Sequence, residues 1–247
     1  MAEPFVFQAM GTAVSVTAAD GVRPELGIRL RQAFEHIEDR FSLYRPGSEA
    51  ARVARRELPV TRASAEFREV YDAAVEWRTR TEGAFTPHRP DGVLDLSGIV
   101  KALAIAESAT IMDAAGADWC VNAGGDVLVS GAQADGRPWV VGIVDPDDRT
   151  ALLSQYASPG GRRAVATSGV AERGEHVWRT GADPTFSQVT VVADDIVTAD
   201  VLATAVLAGG PATLDLVQER WPIEVLACAF DGRCWATPVF RATEAGA

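Results

Sequence analysis

Apolar positions along the chain keep two rhythms, and the second takes over near residue 118. In the first part, "PELGIRLRQAFEHIEDRFSLY" places Ile28, Leu30, Ala33, Phe34, Ile37 and Phe41 at helical spacing, with Pro24 suited to a first turn. Residues 63–82 repeat the pattern with Phe67, Val70, Tyr71, Ala74 and Trp77 on one side, and Gly83 stops the helix. A Pro-rich loop, "TPHRPDG", leads to a third helix over about 98–115. One or two strands, broken near Gly11, precede all three in "FVFQAMGTAVSVTA". After 118 strand patterns dominate: "DWCVNAGGDVLVSG", "PWVVGIVDP", "RRAVATSG" and "SQVTVVA". A helix at "TADVLATAVLA", a shorter one at 212–220 and a hairpin, "IEVLACAFDGRCWATPVF", close the chain, with Asp231–Gly232 as the turn signal. Helices gather in the first half and strands in the second. The expected class is therefore α+β rather than doubly wound α/β, as a single domain over 1–247.

Composition narrows the function more than the fold. The chain has 247 residues, 47% of them hydrophobic, which suffices for a sizeable core. A net charge of −11 argues against a general nucleic-acid or anionic-membrane surface, since both need clustered Lys and Arg. Cys120, Cys228 and Cys234 lack metal-ligand spacing; Cys120 and Cys228 lie in apolar runs, and a disulfide between Cys228 and Cys234 stays open. No signal-peptide pattern is visible at the start, and no apolar run is read as a membrane span. The expected location is cytoplasmic.

Four stretches could carry chemistry. In "TADVLATAVLA" only Asp200 and Thr204 are polar between Ala199 and Ala208, and they share one helix face. Asp200 could simply favour a helix N-terminus near a Thr198 cap while Thr204 bonds back to a carbonyl. Alternatively, a carboxylate and a hydroxyl one turn apart suit a hard cation whose shell is completed by carbonyls and phosphate oxygens. The glycines of "VNAGGDVLVSG" fit a tight turn or a close backbone approach to phosphate, with Asn122 and Asp126 beside them. In "LDLSGIVKALAIA", Lys101 is either a snorkelling surface lysine or an anion partner near a helix N-terminus, and Asp95 and Ser97 either cap that helix or belong to the site. "ATSGVAERGEH" places Thr167, Ser168 and Gly169 at a strand end, but no nucleophile elbow surrounds Ser168. His36, His88 and His176 are too dispersed for a local zinc motif.

Taken in order, these segments resemble the ApbE family of FAD:protein FMN transferases. The likeness runs through "AMGTAVSV", "RFSLYRPGSE", "EGAFTP", "LDLSGIVKALAIA", "VNAGGDVLVSG", "WVVGIVDP", "VATSG" and "TADVLATAVLAGG". The resemblance implies an ApbE-like domain with a mainly antiparallel sheet and packed helices. It implies Mg²⁺ held by Asp200, Thr204 and backbone oxygens near Gly98 and Ala203, with Asp200 and Thr204 central to catalysis. Met10, Tyr44 and the segment Ala84, Phe85 and Thr86 would line the FAD pocket, and Asp95, Lys101 and Val177 fall where the family contacts FAD. The implied reaction moves FMN from FAD to a Thr or Ser hydroxyl of a flavoprotein acceptor and releases AMP. Thr86 stands where the family usually has an acid, Leu103 where an aromatic is common, and Ala106 where a carboxylate is common. FAD binding alone, FAD hydrolysis to FMN and AMP, or a non-catalytic scaffold are the other readings, and no nucleic acid or membrane partner is expected.

Overall fold

Phe5–Ala9 (β1) turns back through Met10 and Gly11 into Thr12–Ala18 (β2). Both turn residues have positive φ, 51° and 73°, as in a two-residue type I′ hairpin whose twist matches its strands. In this computed structural model, which describes residues 3–158, 163–170 and 185–240, the next hairpin closes the same way. Trp119–Ala123 (β3) and Asp126–Ser130 (β4) join through Gly124 and Gly125, at φ 61° and 94°. Val140–Val144 (β5) and Leu152–Ala157 (β6) pair only with each other. Arg163–Gly169 (β7), Phe186–Ala193 (β8), Glu224–Ala229 (β9) and Cys234–Ala236 (β10) complete the strands. Among the described residues, eight of them form one sheet in the order β1-β2-β3-β4-β7-β8-β9-β10, antiparallel at every pairing. The fold is α+β with a mainly antiparallel sheet, as the sequence pattern and the resemblance indicated.

Both faces of the sheet are covered, and the strand sequences follow from that. On one side lie Pro24–Phe41 (α1), Ser97–Ala115 (α4) and Ile196–Arg220 (α5); α1 packs on α4, α4 on α5, and α5 on β7 and β8. Glu49–Ala54 (α2) and Ala65–Arg80 (α3) flank this layer. On the other side the β5–β6 ribbon presses Val141, Ile143 and Tyr156 against Val127, Val129, Val165, Val192 and Leu226. Within β4, Leu128 joins the helix-side core while Val127 and Val129 join the ribbon-side core. A strand buried on both faces has no polar face to alternate, so β4 shows an unbroken Val-Leu-Val run and β8 is buried at seven of its eight positions.

Several expectations shift in detail. Ile28 is 58% exposed, and Leu26 and Gly27 face inward instead, because Gly27 leaves room for the Phe5 ring. The helix α2, capped by Ser48 whose Oγ accepts the Ala51 N–H at 2.9 Å, and the strand β6 were not foreseen. The two closing helices join into α5, interrupted at Gly210, whose φ 70° and ψ −155° admit glycine and little else. Ile196–Arg220 also overturns the expectation about apolar runs: by length and composition it could cross a membrane. Here it is the central core helix.

Gly210→Ala should lower stability by about 1–3 kcal/mol, read as a fall in the urea midpoint at unchanged slope. An unaltered midpoint would mean that the break in α5 carries no strain for a side chain.

Candidate functional site

The two glycine-turned hairpin tips meet at one end of the sheet. A Cβ at Gly124 would come within 2.5 Å of Thr12 Oγ1, and the Gly124 N–H donates to the Ala13 carbonyl at 3.2 Å. Asn122 Oδ1 accepts the Gly125 N–H at 3.0 Å and locks the turn. Directly after it, Asp126 opens β4 with its side chain fully buried. Its Oδ1 accepts the Thr167 N–H at 3.0 Å, and its Oδ2 is ion-paired with Lys101 Nζ from α4. Lys101 is itself only 7% exposed, so the snorkelling reading is overturned: the helix layer closes over the ammonium and Asp126 meets it from below.

One residue along β7, Ser168 Oγ lies 3.1 Å from Thr204 Oγ1 on α5, while Thr167 Oγ1 lies 2.9 Å from Thr190 Oγ1 on β8. Thr190 went unnoticed in the sequence, although it interrupts the apolar run "VTVVA". Asp200 sits one turn before Thr204 and is fully buried. The helix does not start at Thr198. Asp195 caps it, accepting the Thr198 N–H at 2.8 Å, so Asp200 lies beyond the first turn and the plain helix-end explanation for it is removed.

A second group of expected residues meets at the start of α4. A Cβ at Gly98 would approach Phe85 Cε2 to 2.9 Å, and one at Gly209 would approach Ala84 Cβ to 2.9 Å. Ala84 and Phe85 are thus wedged between α4 and the break in α5, with the Phe85 N–H held by Thr81 Oγ1 at 3.1 Å. A recess of about 240 Å³, lined by Thr81, Glu82, Ala84, Gly209, Thr213 and neighbours, opens beside them. Thr86 Oγ1 accepts the His88 N–H at 3.2 Å. Asp95 makes a local turn into α4, whose N-cap is Leu96: its Oδ1 accepts the Ser97 N–H at 2.9 Å and its own N–H donates to the Pro87 carbonyl at 2.8 Å. Ala203 is fully buried on α5, and Met10 holds its positive φ at the first hairpin tip. Tyr44 is 80% exposed just past α1. Val177 lies outside the described residues.

Among the described residues no three His, Cys, Asp or Glu side chains gather as a metal cluster. Mg²⁺ does not require one, because it commonly takes one or two carboxylates and completes its shell with water and ligand phosphates. The donors near Thr204 are hard oxygens: a carboxylate, hydroxyls and backbone carbonyls. That chemistry fits Mg²⁺ and is wrong for a soft metal.

The glycine-turned tips and strand ends of the antiparallel sheet thus meet a small-residue helix at a site lined by hard oxygen donors. The ApbE family model matches residues 10–89 and 86–227, and the chain belongs to the ApbE family. It is 28% identical over 168 residues to the FAD:protein FMN transferase of Klebsiella pneumoniae (strain 342), over 62% of this chain and 48% of that protein. The match thus spans about half the length of this curated relative. The fold is similar to that of the ApbE protein of Thermotoga maritima, with a TM-score of 0.80 at 20% identity over 98% of this chain and 99% of that one. The flavinyl transferase ApbE of Pseudomonas stutzeri gives 0.79 at 19% over 98% and 97%, and the flavin transferase ApbE of Vibrio cholerae 0.74 at 21% over 98% of each.

Breaking the buried pair from one side should be expensive. Asp126→Ala is expected to cost about 3–5 kcal/mol by leaving Lys101 buried with an uncompensated charge. Combined with Lys101→Met, the loss should be smaller than the sum of the two single losses, as measured by urea denaturation of all four forms. Strict additivity would show that the two charges are not coupled.

Proposed function

We propose that this protein transfers FMN from FAD to a Thr or Ser hydroxyl of a flavoprotein acceptor, with Mg²⁺ as cofactor and AMP as the second product. The observation that carries this reading is the meeting of Thr204 with Ser168 beside the Asp126–Lys101 pair, with buried Asp200 one turn away, in a chain of the ApbE family. The curated relative from Klebsiella pneumoniae, named for the same reaction, supports it.

The Asp200 carboxylate, the Thr204 hydroxyl and the carbonyl oxygens of Gly98 and Ala203 would hold Mg²⁺, which when bound supplies positive charge to the diphosphate. The protein's own part is positioning. Ser168 holds the Thr204 hydroxyl to β7, and Asp126 fixes Lys101 between helix and sheet, so charged and polar groups are in place before substrate arrives. Ala84, Phe85 and Thr86, with Met10, Tyr44, Asp95 and Val177, form the proposed FAD-contacting set. The acceptor oxygen forms a bond to the phosphorus on the FMN side, the bridging P–O bond to AMP breaks, and the hydroxyl proton is released. In-line alignment of these oxygens is most of what such a transfer demands. An acidic protein can in this way bind an anionic dinucleotide without a basic surface. We place the activity in one domain over 1–247, in the cytoplasm, with neither nucleic acid nor membrane as partner.

Incubation with FAD and Mg²⁺, with and without an acceptor domain, should give acceptor-dependent AMP release and a covalent FMN mass shift on the acceptor. AMP without acceptor modification would redirect the reading to FAD hydrolysis. Tight FAD binding with no AMP in either mixture would refute catalysis. Asp200→Ala should abolish Mg²⁺-dependent turnover while the thermal melt stays cooperative; retained turnover would remove Asp200 from the metal site.

A further inference from the structure

The closing hairpin carries two cysteines for which the flavin reaction has no use. Cys228 on β9 and Cys234 on β10 are register partners. The flanking bonds, Ala229 N–H to Arg233 O at 2.8 Å and Thr237 N–H to Val225 O at 3.0 Å, fix which pairs of this ladder are hydrogen-bonded. Pairs alternate along an antiparallel ladder, so Cys228 and Cys234 fall at a non-hydrogen-bonded position, where opposing side chains approach most closely. Their sulfurs are 2.9 Å apart. Closing to the ~2.05 Å of a disulfide takes about 0.9 Å of thiol movement, well within side-chain freedom.

Their surroundings differ in a useful way. Cys234 is exposed, whereas Cys228 is buried in the ribbon-side core with Val127, Tyr156 and Leu226. Burial pushes the Cys228 thiol up, and the Cys234 thiol beside it and the carboxylates of Asp145 and Asp147 push it further. Cys120 stands apart on β3, its thiol pushed up to about 12 by burial.

We propose that Cys234 and Cys228 are a reversible oxidation site that closes a disulfide across β9 and β10 on reaction with hydrogen peroxide. Cys234 Sγ attacks the peroxide, the O–O bond breaks, and a sulfenic acid and one water form. Cys228 Sγ then bonds to that sulfur, the S–O bond breaks, and a second water leaves with the Cys228 proton. The dithiol is oxidised by two electrons and the peroxide is reduced by two. The new bond anchors the three-residue edge strand β10, whose Trp235 ring meets Phe186 of β8 edge-on at 5.3 Å.

The test treats the full reduced chain with hydrogen peroxide, removes the oxidant, and counts thiols after denaturation. The expected count falls from three to one, with Cys120 retained and a digest showing the Cys228 and Cys234 peptides joined with the loss of two hydrogens. Dithiothreitol should restore all three thiols. The oxidised form should melt about 5 °C higher than the reduced form, and neither Cys228→Ser nor Cys234→Ser should show that rise. In Cys228→Ser, Cys234 should be trapped as a sulfenic acid by dimedone. Three thiols surviving peroxide, oxidation of Cys234 to a sulfinic acid without a bridge, or Cys234–Cys234 dimers in the wild type would each overturn the proposal. None of these readouts depends on flavin transfer.

Discussion

A lysine sealed beneath a helix layer can stay charged only if a carboxylate meets it there, and Asp126 does so while also accepting the Thr167 N–H. That one carboxylate therefore joins three elements: α4 through Lys101, β4 through its own backbone, and β7 through Thr167. Desolvating both charges has a cost that the pairing offsets only in good geometry, which explains why so many neighbouring contacts are tight. Gly124 against Thr12 and Gly98 against Phe85 leave no slack for the strand ends or for the start of α4 to drift. The positions of Ser168 and Thr204 follow from this constraint, since β7 can slide no further than Thr167 permits.

The second organising fact is that the sheet is covered twice. Helices need small residues to lie close on it, and α5 supplies them with Ala199, Ala203 and Ala205, all fully buried. The β5–β6 ribbon, with Trp139 just before it, covers the opposite face with Val141, Ile143 and Tyr156. With both faces shielded, Asp126, Ser168 and Asp200 are buried at the strand ends and on α5, where a hydroxyl or carboxylate exerts more force on a nearby charge than it would at the surface.

Helix rhythm in the sequence located α1 and α3 to within two or three residues, because each has a polar side against which apolar spacing stands out, whereas the nearly all-apolar α4 was marked by the Pro-rich loop before it. It misjudged Ile28, since the rotation of α1 is set by the Phe5 ring packed on Gly27, a contact between distant elements. It overlooked β6, where Tyr156 alone is buried and no alternation survives, and α2, which is too short to display a period. Asp200 and Thr204 stood out as polar residues on an apolar stripe, and the structure adds that Asp195, not Thr198, takes the capping role. The partner of Lys101 was not legible at all: Asp126 lies on another element, and only the fold brings the two together.

Gly124 and Thr12 touch so closely that neither position is free to vary alone. Lineages carrying this hairpin arrangement should therefore treat the pair as one inherited unit, in which enlarging either residue selects against the other. Leu103 and Ala106, which are partly buried on α4, pack against the helix-side core through their side chains alone. A backbone pinned in this way keeps the hairpin tip in one shape whatever side chains surround it.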